Sequence, residues 1–486
     1  MSTVTGPTRT AESAATLART LVVVIIGSIM AVLDVTIVNV AMHPLAAAFD
    51  APLATVQWVA TGYTLALCAV IPLAAWAMGR FGAKRTYLTA LALFTGGSAV
   101  ASLSWNIETL VLLRVVQGLG GGLLVPVGMA MVIRAANREH MGRAMAMLGI
   151  PVLIGPVSGP ILGGWLIDTA SWHWIFLVNL PVGAVALLLA ARLLRSDETR
   201  SVRRLDVPGL LMLSPGLALL IYGLSTGGAR GDFTMPGALL PAVAGLLLVA
   251  GFVARGLTAR HPLLQLRLFH DRTFAAGIAT MVLFPAGYFG SMLLTPMYYQ
   301  TTRGLTATES GLLGAPLAVA VGTSMQIATR RIDKASPRLM VISGIFVAAL
   351  GLSLFGLQLG PDTPYWRLCA AMLVMGAGVG MVMMPVNTTA TRTLAPDDIP
   401  SGSTTINIVS QIGTSIGTAL MSVVLASNMT GTTSQRQQAA AFQHTYWWAV
   451  TLLILAGVPA LLLPRRRRSP DSSTSAPVTP TSIRTR

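Results

Sequence analysis

The chain has 486 residues, of which 53% are hydrophobic and only 10% charged, with a formal net charge of +16 and a mean hydropathy of +0.70. Soluble domains carry about 25% charged residues, so this composition excludes an ordinary soluble enzyme. Two cysteines in separate apolar segments, Cys68 and Cys369, exclude a disulfide scaffold and a thiolate metal cluster.

A helix that crosses a bilayer needs about 20 mostly apolar residues. That length picks out fourteen predicted segments, near 21–42, 55–76, 87–104, 109–133, 144–165, 174–191, 207–225, 237–254, 273–297, 309–329, 339–357, 366–390, 402–426 and 445–463. Backbone in hydrocarbon must satisfy its own hydrogen bonds, so runs of this length read as helices rather than barrel strands. The fold class expected is an all-α polytopic membrane protein. The first segment is too long, and too polar at Asp34 and Asn39, to read as the short apolar core of a signal peptide.

Segment 1 carries a carboxylate, Asp34, where insertion into hydrocarbon costs about 2.5 to 3.5 kcal/mol. Such a group needs a partner, a water-filled cavity or a proton. It reads either as a proton carrier or as a permanently paired structural carboxylate. At about 3.6 residues per turn, Ser28, Thr36, Asn39 and His43 share one face, while Asp34 lies roughly opposite, beside Gly27, Ala31, Val38 and Ala41. Two polar faces predict a helix surrounded by protein or cavity.

Segment 4 holds the other intramembrane charge, Arg114, with Gln117, Gly118 and Gly121 on the same face at i+3, i+4 and i+7. It reads either as a residue that stabilises charge or relays a proton, or as a tie between helices. Segment 5 contains Gly155, Gly159 and Gly163, a small-residue stripe suited to close helix packing, with Gly164 beside it and Pro156 and Pro160 as kink points. Segments 4 and 12 echo each other as GLGGGLLVP (118–126) and GAGVGMVMMP (376–385). That echo fits a duplicated six-helix unit with segments 7 and 8 inserted between the copies, a common transporter architecture.

Placing the N-terminus inside puts 28 of the 33 Lys and Arg residues on the cytoplasmic side; Arg230, Arg303, Arg367 and Arg436 fall outside and Arg114 within a segment. This positive-inside asymmetry explains the net charge as topology, with both termini cytoplasmic, and removes the nucleic-acid reading. The organisation expected is a cytoplasmic segment 1–20, an N-terminal six-helix bundle 21–191, a linker 192–272 with two extra transmembrane helices, a C-terminal six-helix bundle 273–463, and a disordered basic cytoplasmic tail 464–486. The preponderance of Arg over Lys, with many Ala and Gly, hints at a bacterial source.

These residues resemble the major facilitator superfamily, in particular its fourteen-span drug:proton antiporter branch, the EmrB/QacA-like multidrug exporters. The resemblance covers about residues 21–463. It rests on LDVTIVNVAMHP (33–44), QWVATGYTL (57–65), LLRVVQG (112–118), GPVSGPILGGWLID (155–168) and WHWIFLVNLPVG (172–183). It implies a major-facilitator fold, proton coupling at Asp34 and Arg114, and an antiporter motif at Gly155, Pro156, Gly159, Pro160, Gly163 and Gly164. It also implies an inner-loop motif at Arg80, Gly82, Lys84 and Arg85. Where that motif normally has an aspartate, this chain has Gly79, which puts the charge-paired cytoplasmic latch in doubt.

The function expected is proton-coupled export of lipophilic small molecules (drugs, dyes or antibiotics) across the bacterial cytoplasmic membrane by alternating access. A single intramembrane carboxylate suggests one proton per cycle and neutral, zwitterionic or monocationic substrates. The proton gradient is the energy source, with no cofactor and no metal, and membrane lipids and the substrate are the partners of a monomeric transporter that binds no nucleic acid. A periplasmic adaptor is unknown. The substrate-cavity candidates are Thr36, Asn39, Gln57, Tyr63, Gln117, Tyr288, Gln326, Asn387, Asn407 and Gln411, each of which could equally be an interhelical hydrogen bond. Met381, Met383 and Met384 offer an adaptable wall or ordinary packing. A lipid or amphiphile exporter of the same fold is the alternative, and a solute importer is less favoured. A membrane scaffold and an enzyme come last, for want of a soluble domain and of a catalytic constellation outside the lipid.

Overall fold

A computed structural model of the chain describes residues 7–51, 53–56, 58–136, 144, 147–195, 206–259, 263–331, 336–395, 398–432 and 434–465. The described residues form helices and connecting turns, without a strand. The N-terminal half comprises α1 (Pro7–Val40), α2 (Trp58–Val70), α3 (Leu73–Phe81), α4 (Ala83–Ala101), α5 (Ile107–Ala135), α6 (Ile150–Thr169) and α7 (Asn179–Leu193). Two helices follow, α8 (Val207–Arg230) and α9 (Pro236–Thr258). The C-terminal half comprises α10 (Arg272–Thr301), α11 (Ala307–Arg331), α12 (Pro337–Leu357), α13 (Tyr365–Gly380), α14 (Met383–Arg392), α15 (Ile399–Met429) and α16 (Gln435–Ala460). The basic tail from 466 onward lies outside the described residues.

Ten helices among the described residues are long and apolar enough to cross a membrane, and the α2–α3 pair, bent by 56° at Ile71-Pro72, would make an eleventh. α4 and α16 fall short of that measure because polar residues dilute them, Lys84, Arg85, Gly96, Gly97 and Ser98 in the one, Gln443 and His444 as well as the polar start at Gln435 in the other, while α6 has side chains outside the described residues. Both nevertheless bury a full stripe of side chains inside their halves. A helix shielded by its neighbours does not need lipid-compatible residues all round.

Each half closes on its own apolar core. Tyr87, Leu91, Phe94, Leu124 and Val127 lie in the first, and Phe284, Leu352, Phe355, Phe442 and Tyr446 in the second. The echoed glycine clusters occupy matching places. Gly118 faces Tyr63 and Ala66 of α2 and Gly120 faces Ala90 and Phe94 of α4, so α5 is wedged between α2 and α4. In the second half Gly376 faces Leu317 and Ala320 of α11 and Gly378 faces Gly344 and Ala348 of α12, so α13 is wedged between α11 and α12. With no hydrophobic drive between helices in lipid, approach this close is what small residues supply.

α8 packs along α9 and reaches α15 and α2. Asp206 caps α8 by accepting from Gly209 N at 3.0 Å and pairs with Arg255 of α9, at 3.0 Å from Nε and 2.9 Å from Nη2. The segment after α9 is tied to the start of α15: Arg267 pairs with Asp398 at 3.0 Å, and Ser401 Oγ accepts from Gln265 N at 3.1 Å. The halves meet through α6 against α11 and α5 against α15, where Ser403 Oγ donates to Pro126 O at 3.4 Å.

A Cβ at Gly120 would lie 2.8 Å from Ala90 O, whereas one at Gly164 would have nothing within 4 Å. Gly120→Ala is therefore expected to lower stability by about 1–3 kcal/mol through overpacking, while Gly164→Ala stays within about 0.5 kcal/mol of the parent. Thermal unfolding of the detergent-solubilised variants compares the two; equal melting temperatures would contradict the wedge.

Candidate functional site

Asp34 lies in α1 with no exposed surface, and four further helices converge on it. α5 starts at its N-cap Asn106, whose side chain accepts from Thr109 N at 2.8 Å, and this start places Arg114 two turns in, at the depth of Asp34. Arg114 Nη1 donates to Asp34 Oδ2 at 2.6 Å and to Gln117 Oε1 at 2.8 Å. Gln117, one turn along, donates from Nε2 to Asp34 Oδ1 at 2.8 Å. The i, i+3 spacing thus makes a two-pronged clamp on one carboxylate.

The rest of the guanidinium is enclosed. Nε donates to Val59 O at 3.3 Å, and the Tyr63 ring lies under the cation at 4.2 Å from its centroid, with Phe176 at 5.7 Å. Glycines admit these neighbours: the Tyr63 backbone fills the space a side chain at Gly118 would need, and its hydroxyl does the same at Gly121. That hydroxyl is buried without a hydrogen-bond partner among the described residues. A buried ion pair repays its desolvation only with good geometry and further hydrogen bonds. Here Asp34 accepts three donors and Arg114 makes three hydrogen bonds between two aromatic faces.

The third donor to Asp34 is Asn179 at the start of α7, whose Nδ2 lies 3.0 Å from Asp34 Oδ1 and 3.1 Å from Ser98 Oγ of α4. Ser98 in turn donates to Phe176 O at 3.0 Å. Pro181 explains the break that sets Asn179 at a helix start, because it cannot donate to the carbonyl four residues back. Neither Asn179 nor Ser98 stands among the sequence candidates. The signal for Asn179 was present, a lone amide inside the apolar run WHWIFLVNLPVG; Ser98 gave none, since a helical serine commonly bonds its own backbone.

Of the cavity candidates, the structure brings Gln117 and Tyr63 to Asp34 and scatters the others. Thr36 Oγ1 bonds backbone oxygens of Leu33 and Gly155 at 3.0 and 3.1 Å, so it ties α1 to α6. Tyr288 stacks on Phe284 in the second core, and Asn407 donates to Ser403 O at 2.8 Å within α15. Asn387 lies between the halves, with Nδ2 3.8 Å from Met129 Sδ and a buried Oδ1 lacking a partner among the described residues. Gln326 and Gln411 are half-buried on α11 and α15. Gln57 and the side chain of Asn39 lie outside the described residues.

In the stretch expected as an antiporter motif, Gly155 seats Val32, Gly159 seats Thr36 and Gly163 seats Ile37, so the stripe presses α6 onto the stretch of α1 around Asp34. The side chains of Pro156 and Pro160 lie outside the described residues. In the inner-loop motif, Gly82 joins α3 to α4 at φ +83°, a left-handed value that favours glycine. Lys84 Nζ donates to Ala191 O and Leu194 O, both at 2.7 Å, and so closes the C-terminal end of α7. Arg80 and Arg85 are exposed, and a side chain at Gly79 would meet nothing within 4 Å.

Comparison with known proteins places the chain. The model of the Major Facilitator Superfamily matches residues 24–418. The chain is 44% identical over 411 residues to a multidrug resistance protein B homolog of Mycobacterium tuberculosis, covering 84% of this chain and 76% of the relative. It is 32% identical over 415 residues to a putative multidrug resistance protein MdtD of Cronobacter sakazakii, covering 83% and 85%. Among solved structures, the proton:xylose symporter XylE superposes with a TM-score of 0.64 at 14% identity, over 92% of this chain and 95% of that one, a likeness of fold alone.

Removing one member of a buried ion pair strands the other. Arg114→Leu is expected to lower stability by about 3–5 kcal/mol, and the double variant Asp34→Leu/Arg114→Leu to recover most of that loss. Denaturant unfolding of the purified proteins measures both; a double variant no more stable than the single would argue against the pair.

Proposed function

The chain belongs to the major facilitator superfamily and is a multi-pass membrane transporter, and on that premise we propose that it exports lipophilic small molecules in exchange for protons. The observation that carries this reading is the wholly buried Asp34–Arg114 pair at the junction of five helices. The multidrug resistance proteins to which the chain is similar support the drug-efflux part of it.

Three donors and two carboxylate oxygens suit the ionised form of Asp34. Protonation would replace that anion by a neutral acid whose O–H needs an acceptor, and would leave Arg114 without its counter-charge. The junction then has to rearrange, and every helix that contributes a group to it moves with the proton. This is the differential interaction that alternating access requires. Each proton moving inward supplies about 2.3 kcal/mol per 100 mV of membrane potential. Loading Asp34 from outside and discharging it to the cytoplasm would drive the substrate the other way.

In this reading the proton gradient is the energy source and Asp34 carries one proton per cycle. Among the described residues the site adds no further buried anion, which fits neutral, zwitterionic or monocationic substrates better than dications. The Lys and Arg distribution supports both termini lying in the cytoplasm, and the reading takes a bacterial inner membrane, lipid as the surrounding partner and the monomer as the working unit.

Inverted membrane vesicles, supplied with ethidium in the medium and energised by a proton gradient acidic inside, test the proposal. The parent should transport the dye until an uncoupler is added, and Asp34→Asn should fall to the rate of vesicles lacking the protein. Gradient-dependent transport by Asp34→Asn would sink the coupling role.

A further inference from the structure

The hydrogen-bond chain behind Asp34 has a fixed direction. Ser98 has one hydroxyl proton, and it is committed to Phe176 O at 3.0 Å. Its oxygen can therefore only accept from Asn179, at 3.1 Å, which turns the NH2 end of that carboxamide, and not its carbonyl, toward Asp34. The second proton on Nδ2 then lies on Asp34 Oδ1 at 3.0 Å. All three groups are within 3% of full burial, so water does not compete for them.

We infer that Asn179 is a positioning residue for the proton step: oriented by Ser98, it holds a donor on Asp34 and ties the protonation state of α1 to the break between Phe176 and α7. This rests on the reading of Asp34 as the proton carrier and adds how its affinity for the proton is set. Asn179 occupies the first position of α7, directly after the break at Val178, and Phe176, whose carbonyl ends the chain, lies in the helical turn Trp174–Leu177 just before it. Phe176 also faces the Arg114 guanidinium, so both members of the ion pair report to the same turn. A proton on Oδ1 would oppose the Asn179 N–H, and the whole chain back to Phe176 would have to reverse or part.

The groups facing Asp34 are few. α5 presents Arg114 and Gln117, and α2 presents Tyr63, whose ring lies under Arg114. α4 and α7 present Ser98 and Asn179, and α6 meets α1 here through Gly155 and Gly159. Among the described side chains, Arg114 is the one charge and Tyr63 the one other titratable group at the junction. A change at Asn179 or Ser98 thus alters no charge, and its effect on titration acts through the hydrogen bond alone.

The test titrates the carboxyl directly, by pH-dependent infrared difference spectroscopy of the purified full-length protein. The C=O stretch of protonated Asp34 is assigned by its loss in Asp34→Asn. Removing a donor from the ionised form moves protonation to higher pH. Asn179→Leu should therefore shift the midpoint alkaline by about one to two pH units, or bring a band into range where the parent shows none. Ser98→Ala, which keeps Asn179 but frees its orientation, should shift it the same way by less, and Ser98→Thr should restore the parental midpoint.

Unshifted midpoints in Asn179→Leu and Ser98→Ala would overturn the inference; should Asn179→Leu not fold, Ser98→Ala against Ser98→Thr decides it. Ethidium transport is scored separately on the same proteins. Shifted midpoints in the variants of a parent that itself moves no dye would leave the positioning role standing and remove the exchange reading. Proton-driven transport with no shift would do the reverse.

Discussion

The ion pair between Asp34 and Arg114 is the constraint around which the N-terminal half is arranged. Neither charge is tolerable in hydrocarbon alone, and together they demand more hydrogen bonds than two side chains can exchange. The surplus is met by α2, α4, α5 and α7, each of which brings one group to the same depth. The clustering of polar groups in an otherwise apolar bundle follows from that demand, and so does the ring of close helix contacts around it.

Glycine provides the closeness. On α5, Gly118 and Gly121 admit Tyr63, and on α4 Gly97 lets the backbone of Gln117 approach. On α6, Gly155 and Gly159 let the helix rest on Val32 and Thr36, flanking Asp34 along α1. The glycine stripe of α6 and the ion pair therefore belong to one piece of packing. A shift of α6 along α1 and a change in the charge state of Asp34 act on the same helix, within a turn or two of each other.

The C-terminal half repeats the packing of the first but not its chemistry. The wedge of α13 between α11 and α12 matches that of α5 between α2 and α4, while its interior is filled by aromatic and aliphatic side chains: Phe284, Tyr298, Phe355, Phe442 and Tyr446. The inner loop departs from the family pattern in a comparable way. Gly79 leaves open space where an acidic side chain would stand, and of the basic residues that remain Lys84 serves the end of α7 while Arg80 and Arg85 face outward. Ties elsewhere are supplied by Asp206 with Arg255 and by Arg267 with Asp398.

Much of this was legible without coordinates, because hydrocarbon penalises charge so heavily that Asp34 and Arg114 stand out from composition alone, and because helices in lipid announce themselves by length. The glycine spacing likewise foretold where helices approach. What the sequence could not show was which polar groups meet: Thr36 and Asn407 spend their hydrogen bonds on backbone oxygens away from Asp34, while Asn179 and Ser98 complete the site. Burial cost depends on residue type and local surroundings, which sequence records. Partnership depends on the rotation and depth at which five separate helices pack, and only the tertiary structure decides that.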